Sequence, residues 1–438
     1  MRIAMIGTGY VGLVSGACLS EFGHSVTCID KDAAKVAALR GGAIPIFEPG
    51  LDEVVAANVR AGRLSFATEM AQAVADAEAV FIAVGTPSRR GDGHADLSYV
   101  FAAAEELAAH LTGYTVVVTK STVPVGTSRK VKEIIARTRP DAEFDVCSNP
   151  EFLREGSAIE DFRRPDRVVV GCDGQRAREV MREVYRPLFL HETPILFTSP
   201  ESSELIKYAA NAFLATKITF INEMADLCEK LGGDVQDVAR GIGLDGRIGS
   251  KFLHAGPGFG GSCFPKDTLA LLKTSQDSGA PTRIVEAVVA VNEARKVRMA
   301  EKIENAFGGV RGKTVAVLGL TFKPNTDDMR DAPSLVIVPR LMSAGAAIRA
   351  YDPEGAKEAA KDLRGVTFCA SAYDALEGAD GVVLLTEWNE FRALDFARMK
   401  ALLKRPLMVD LRNIYRPAQM ETAGFTYVSV GRATVGAP

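Results

Sequence analysis

The sequence predicts an α/β protein in which two doubly wound parallel sheets are joined by a central helical region containing one long helix. Three observations predict it. Short apolar runs alternate with Ala-rich helical stretches over roughly the first 150 residues, the same alternation resumes at Gly312, and the segment between them has helical texture.

The elements follow in order. Residues 2–6 form a first strand, a Gly-rich turn follows, and a helix runs to about Phe22. Ser25–Ile29 is a second strand that stops at Asp30, and further strands are expected over 79–84, 115–120 and 144–147, separated by helices such as 97–110. Ser199 and Pro200 suit an N-cap and a first helical residue, and the apolar-periodic run continues to Leu231 before Gly232. That helix would be about 47 Å long at 1.5 Å per residue, a length suited to bridging domains or packing on a partner subunit. A second helical region follows the Gly-rich segment 255–261 and runs to about Phe307. Strands return over 315–320, 347–351, 381–385 and 407–411. The expected domains are 1–198, 199–308 and 309–438.

Composition narrows the function. Of 438 residues, 47% are hydrophobic and 24% charged, and the net charge of −3 leaves no electrostatic footprint for nucleic acid or an anionic membrane. No apolar run reaches the ~18–20 residues that span a bilayer. Seven cysteines form no CxxC pair, and with five histidines they show no metal-ligand spacing, so neither a disulfide framework nor a metal site is expected. The N-terminal run, interrupted by Gly and Tyr, has the pattern of a strand, not a signal peptide, and the chain is expected in the reducing cytoplasm.

Gly7-Thr8-Gly9-Tyr10-Val11-Gly12 matches GxGxxG directly after a strand and at the start of a helix. The first glycine permits the tight turn, the second lets a pyrophosphate approach the backbone, and the third lets helix and strand pack closely. Asp30, at the end of the second strand and 18 residues past Gly12 (30 − 12), would accept hydrogen bonds from ribose hydroxyls and repel a 2′-phosphate. The pattern predicts a Rossmann-like domain that binds NAD in preference to NADP, with Lys31 and Lys35 softening the preference; a Gly-rich turn without a ligand is the plainer alternative. In the C-terminal domain Gly319 follows a strand and Asp352 ends the next, without a GxGxxG. That fits either a Rossmann-like relative without the pyrophosphate loop or an ordinary α/β domain.

The run Gly258-Phe259-Gly260-Gly261-Ser262-Cys263-Phe264-Pro265-Lys266-Asp267 carries the chemistry. Its glycines allow close approach of a ligand, and Pro265 suits a first helical turn, which puts Cys263 just before a helix N-terminus. There the dipole and Lys266 favour the thiolate, the form that attacks carbonyls, and Asp267 could serve as a base. Lys207 and Asn211 share a helix face at i and i+4. Asn149-Pro150-Glu151-Phe152-Leu153-Arg154-Glu155-Gly156 and Lys120-Ser121-Thr122-Val123-Pro124 each follow a strand, at the sheet edge where such folds bind ligands. Taken singly, each of these segments is more often structural than catalytic.

Together with Gly85-Thr86-Pro87, Ser121–Gly126 and Phe322-Lys323, these motifs occur in one order along the whole chain, and the sequence resembles the UDP-glucose/GDP-mannose dehydrogenase family of nucleotide-sugar dehydrogenases. The resemblance implies a four-electron oxidation of the C6 alcohol of UDP-glucose to the carboxylate, using two NAD and one water. It implies Cys263 as the nucleophile that forms a thiohemiacetal and then a thioester, Asp267 as base, Lys207 and Asn211 at the oxyanion, and Glu151 or Thr122 assisting hydrolysis. Val11, Asp30, Lys35, Thr86, Thr122, Glu155, Lys266 and Arg330 would contact NAD alongside Gly7, Gly9, Tyr10 and Gly12. Glu151, Phe152, Leu153, Arg154, Glu155, Lys207, Asn211, Phe252, Leu253, His254, Ala255, Gly256, Gly260, Phe322, Lys323 and Arg412 would hold the sugar nucleotide. It further implies a homodimer around the long helix, with Arg247 reaching the partner's substrate; His254 departs from the lysine that some members carry. Two alternatives stand beside this reading: the same chemistry on GDP-mannose or an N-acetylated UDP-hexose, and a non-catalytic regulator that binds NAD or a sugar nucleotide.

Overall fold

The Val- and Ile-rich runs form two sheets in the computed structural model, which describes residues 1–87, 89 and 94–436. The chain divides into two units, Met1–Ala210 with Lys273–Ser278, and Asn211–Leu272 with Gly279–Pro438.

In the first unit β1 (Arg2–Ile6), β2 (Ser25–Ile29), β3 (Leu64–Ala67), β4 (Ala79–Ile82), β5 (Thr115–Thr119), β6 (Phe144–Ser148), β7 (Val168–Gly171) and β8 (Ile195–Thr198) lie in the order β3-β2-β1-β4-β5-β6-β7-β8. The first six are parallel, with Met5 paired to Cys28 on one side and Phe81 on the other. β4 and β5 are buried at every residue, as strands covered on both faces must be. On one face α1 (Tyr10–Glu21) comes so close that a Cβ at Gly16 would stand 2.5 Å from Cys28 Sγ.

The sheet goes beyond the sequence expectation at its far edge. β7 runs antiparallel to β6, with Ser148 opposite Gly171, and β8 continues parallel to β7. Neither strand was expected, nor was β3 at the other edge, because a four-residue run has too few positions to show a period. A short α2 (Ala158–Arg163) links β6 to β7. After β8 comes the long helix α3 (Pro200–Leu231), whose 32 residues start where the sequence placed them: Ser202 N–H donates to Ser199 Oγ at 3.2 Å. The boundary between the units falls within this helix.

The helical region up to Phe307 is two helices, α4 (Phe264–Asp277), whose last residues belong to the first unit, and α5 (Arg283–Phe307) of the second. A single region was expected; Gly279, at φ +68°, and Pro281 stop it, since one takes a left-handed conformation and the other has no N–H to donate. β9 (Thr314–Leu318), β10 (Ala347–Tyr351), β11 (Thr367–Phe368), β12 (Gly381–Leu384), β13 (Leu407–Asp410) and β14 (Thr426–Ser429) then form an all-parallel sheet in the order β11-β10-β9-β12-β13-β14. This repeats the order of the first six strands of the other unit. The strands expected over 79–84, 315–320, 381–385 and 407–411 end one or two residues early, because their apolar character continues into buried loops after the ladder has stopped. Among the described residues no helix is long and apolar enough to cross a membrane.

Candidate active site

In the first unit the glycines after β1 are placed by sterics. A Cβ at Gly7, which has φ +102°, would lie 2.7 Å from Ala83 O, and one at Gly12 would lie 2.0 Å from Gly7 O. A Cβ at Gly9 would meet nothing within 4 Å among the described residues, so the space in front of the α1 N-terminus is open to a phosphate group. Asp30 Oδ2 accepts from Thr8 N–H (3.1 Å), Thr8 Oγ1 (2.6 Å) and Lys35 Nζ (3.0 Å), and Oδ1 accepts from Asp32 N–H. Burial alone would raise this carboxyl, but the bonds from Thr8, Asp32 and Lys35 outweigh it and bring it down to about 2. An ionised acceptor at this strand end, an open glycine turn and a helix N-terminus together fit NAD.

Tyr10, one of the expected cofactor residues, is bound at its hydroxyl by Glu48, and burial and that carboxylate together push its phenol up. The same Glu48 accepts from Gly156 N–H at 2.6 Å and Ala158 N–H at 2.7 Å, which fixes the turn after Glu155 and satisfies the start of α2. Glu48 was not anticipated; it lies in an irregular loop whose sequence carries no motif. Thr86 Oγ1 donates to Thr122 O at 2.9 Å, joining the loops after β4 and β5. Val11 is half-buried.

At the carboxyl ends of β5 and β6 the unit holds a buried ionic cluster. Glu151 Oε1 lies 3.0 Å from Lys207 Nζ, with the two side chains 6% and 3% exposed, and Glu151 Oε2 accepts from Leu153 N–H. Lys207 reaches it because α3 packs hard on the sheet. Ser203, one turn earlier, bonds Ser148 Oγ at 3.0 Å, and a Cβ at Gly171 would sit 2.6 Å from Ser203 Cβ. Phe152 has the Arg167 guanidinium 3.7 Å from its ring centre and Lys207 Nζ at 5.3 Å. Behind the pair, Lys120 Nζ donates to Asn149 Oδ1 (3.1 Å) and Tyr185 OH (3.2 Å), and burial, the largest influence, brings it down to about 8. Arg154 points outward to Asp161, and Glu155 is half-buried.

In the second unit Cys263 is half-buried and directly precedes α4; its carbonyl accepts from Asp267 N–H at 2.8 Å, the first bond of that helix. Asp267 is 1% exposed, with Oδ2 accepting from Asn211 Nδ2 at 2.6 Å and Oδ1 from Lys266 Nζ at 2.7 Å. Lys266 thus forms an ion pair with Asp267. Phe252 holds a left-handed φ of +65°, a strained conformation for a bulky residue, and packs with Phe264. Around the glycine run the structure gathers several expected residues. Gly261 N–H donates to Arg330 O at 2.7 Å, a Cβ at Gly261 would meet the Phe322 ring at 2.7 Å, and a Cβ at Gly256 would meet Arg412 Nη1 at 3.5 Å. Arg412 Nη2 donates to Phe322 O and Nε to Leu385 O, and Lys323 Nζ lies 5.2 Å from the Phe322 ring centre. Leu253, Ala255, Gly256 and Gly260 are buried and His254 is exposed. Arg247 is 89% exposed and ion-paired with Asp245.

Asp352 takes the place of Asp30 in this unit, but accepts from Leu320 N–H, Thr321 N–H, Thr321 Oγ1 and Trp388 Nε1 and is 2% exposed. The loop after β9 thus bonds the carboxylate after β10, which lies buried.

Comparison with known proteins matches three stretches of the chain to the UDP-glucose/GDP-mannose dehydrogenase family: its NAD binding domain over residues 1–189, its central domain over 201–294 and its UDP binding domain over 316–417. A UDP-glucose 6-dehydrogenase of Rhizobium meliloti (strain 1021) is 65% identical over 435 residues, covering 99% of this chain and 100% of that protein. Among solved structures, a UDP-glucose dehydrogenase from Pyrobaculum islandicum superposes with a TM-score of 0.91 at 40% identity, covering 98% of each chain. A UDP-D-ManNAc dehydrogenase from Pyrococcus horikoshii does so with a TM-score of 0.85 at 25% identity, covering 99% of each chain.

Proposed function

The chain belongs to the UDP-glucose/GDP-mannose dehydrogenase family and is an NAD-dependent dehydrogenase, and we propose that it oxidises UDP-glucose to UDP-glucuronate through a thioester on Cys263. The observation that carries this reading is the placement of Cys263 at the head of α4, one turn before a buried Asp267 held by Asn211.

Bound NAD supplies the hydride acceptor for both oxidations. Asp267, acting through a water, takes the C6 hydroxyl proton as the alcohol becomes an aldehyde. The Cys263 sulfur then adds to the aldehyde carbon, forming a C–S bond and a thiohemiacetal whose oxidation leaves a thioester. Lys207 and Asn211 donate to the oxygen that gains charge in this addition. Water attacks the thioester carbonyl, with Asp267 as base and Glu151 and Thr122 assisting; the C–S bond breaks, the thiol is restored and the carboxylate leaves. The sum is one sugar nucleotide, two NAD and one water giving one uronate, two NADH and three protons. Val11, Asp30, Lys35, Thr86, Glu155, Lys266 and Arg330 are assigned to NAD. Glu151–Glu155, Phe252–Gly256, Gly260, Phe322, Lys323 and Arg412 are assigned to the nucleotide sugar.

The reading includes a homodimer. Phe213, Phe220, Leu227 and Leu231 on α3 are 66%, 46%, 48% and 75% exposed and recur at steps of seven, seven and four, the spacing of a helix seam, which a second copy would cover. Arg247, which extends into solvent, is assigned to the partner's substrate.

The deciding experiment is a panel of UDP-glucose, GDP-mannose and N-acetylated UDP-hexoses with NADH counted per sugar. UDP-glucose should be turned over fastest and yield two NADH each. A ratio of one with free aldehyde would remove the thioester, faster turnover of another sugar would reassign the substrate, and no turnover of any sugar would leave a binding protein.

A further inference from the structure

We infer that Asn292 and Arg295, one turn apart on α5, are positioning residues for the Cys263 thiol, gripping the glycine-rich segment 256–261 so that the chain enters α4 in one conformation. Asn292 uses both ends of its amide on a single residue of that segment: Oδ1 accepts from Phe259 N–H at 2.8 Å and Nδ2 donates to Phe259 O at 3.1 Å. Arg295 Nε donates to Gly256 O at 2.6 Å, and its Nη1 donates to Asn222 O at 3.2 Å and Asp226 Oδ1 at 2.7 Å. Asn222 Oδ1 in turn accepts from Gly256 N–H at 2.8 Å, so both polar groups of the Gly256 backbone are held. The opposite side is closed by the loop after β9, where Gly261 N–H donates to Arg330 O and a Cβ at Gly260 would stand 2.4 Å from Asp331 O. A Cβ at Gly258 would lie 2.9 Å from Asn292 Oδ1, so the α5 side has no slack either.

Stability alone does not explain the choice of residues. Arg295 is 1% exposed, burial lowers its guanidinium against the pull of Asp226, and its Nη2 meets no acceptor among the described residues. A buried ion pair is commonly replaceable, both partners together, by apolar side chains without loss of stability. What an apolar residue cannot do is fix the direction of a glycine carbonyl. Glycine loses more conformational freedom on folding than any other residue, so a run of glycines needs an external hold if the side chain that follows is to stand in one place. The cysteine must meet the aldehyde before the aldehyde leaves, and small displacements of a nucleophile cost large factors in rate.

The inference rests on the thioester reading, and its test separates the two. Asn292→Ala and Arg295→Lys are compared with the wild-type chain under single-turnover conditions with UDP-glucose, NAD and a hydrazide trap for aldehyde. A loosened thiol should spare the first oxidation and impair capture. At saturating UDP-glucose Asn292→Ala should keep the first-hydride rate within about threefold, give NADH per sugar falling from two toward one, and accumulate trapped aldehyde. Arg295→Lys retains the cation and most of the stem and should show the same shift to a smaller degree; it also serves if Asn292→Ala does not fold, as judged by its melting temperature and NAD binding. A ratio of two with no trapped aldehyde in the folded variants would overturn the inference and leave the mechanism standing. A wild-type ratio of one would overturn the thioester and the inference with it.

Discussion

At the scale of single residues, two ionisable groups make separable predictions and the thiol makes a third. Asp30 is held at about 2, below the 3.8 of an ordinary aspartate, so its bonds to Thr8, Asp32 and Lys35 stabilise the fold above the unfolded value and cease to do so as pH falls through the folded one. Asp30→Asn should therefore cost about 1–2 kcal/mol near pH 7, after allowance for solvent screening, and almost nothing at pH 2. Melting temperatures across that range check it, and a gap that does not close on acidification counts against the assignment. At Lys120 burial disfavours the charged form, and stability again rises with pH. Its folded value of about 8 lies below the 10.5 of a free lysine, so holding the proton costs stability below pH 8 and the cost is relieved as pH rises toward 10.5. Relative to Lys120→Met, the wild-type chain should gain stability over that window; parallel pH curves would show that Lys120 titrates normally. Cys263→Ser should lower kcat by at least ~10³-fold while NAD affinity stays within about twofold, because the cradle that fits NAD lies among other residues. Turnover at the wild-type rate would take Cys263 out of the chemistry.

At the scale of elements, α3 and α5 do the positioning. α3 enters with a serine cap, locks Ser203 against β6 and carries Lys207 to Glu151 a turn later, then presents Asn211 to Asp267. Gly171 is what permits that approach, since any Cβ there would collide with Ser203. Gly171→Ala should therefore push α3 away from the sheet. It is expected to cost about 1–3 kcal/mol by overpacking and to lower kcat more than the affinity for NAD. Chemical denaturation alongside steady-state kinetics would test it, and an unperturbed kcat would mean that the Glu151–Lys207 pair tolerates displacement of the helix.

At the scale of the whole molecule, the two sheets share one strand order but differ at the turn where a dinucleotide would bind. The first leaves an open glycine turn beside an ionised Asp30; the second turns its equivalent, Asp352, onto its own loop. The apolar seam on α3 sets the assembly prediction. On the proposed homodimer, Phe220→Glu should weaken self-association by sedimentation velocity, since burying a charge in an apolar seam is costly. A dimer of unchanged strength would place the interface elsewhere.

Much of this was legible from the amino-acid order alone. GxGxxG after a strand, Asp30 at the next strand end, the Ser199-Pro200 start of α3 and the position of Cys263 before Pro265 are local patterns, and local patterns carry local geometry. What they could not carry is the identity of groups that act from a distance. Glu48 holds Tyr10 and the turn after Glu155 from a loop with no signature, and β7 and β8 are too short to show a period. Asn292 and Arg295 look like any polar residues of a long helix until α5 is laid against the glycines they bond. Those roles depend on contacts between residues more than 30 positions apart (292 − 259 = 33), which only packing creates. The kinds of chemistry available were written in the motifs, and the tertiary structure decided which side chains hold them in place, because a hydrogen bond needs a particular distance and direction that no local pattern specifies.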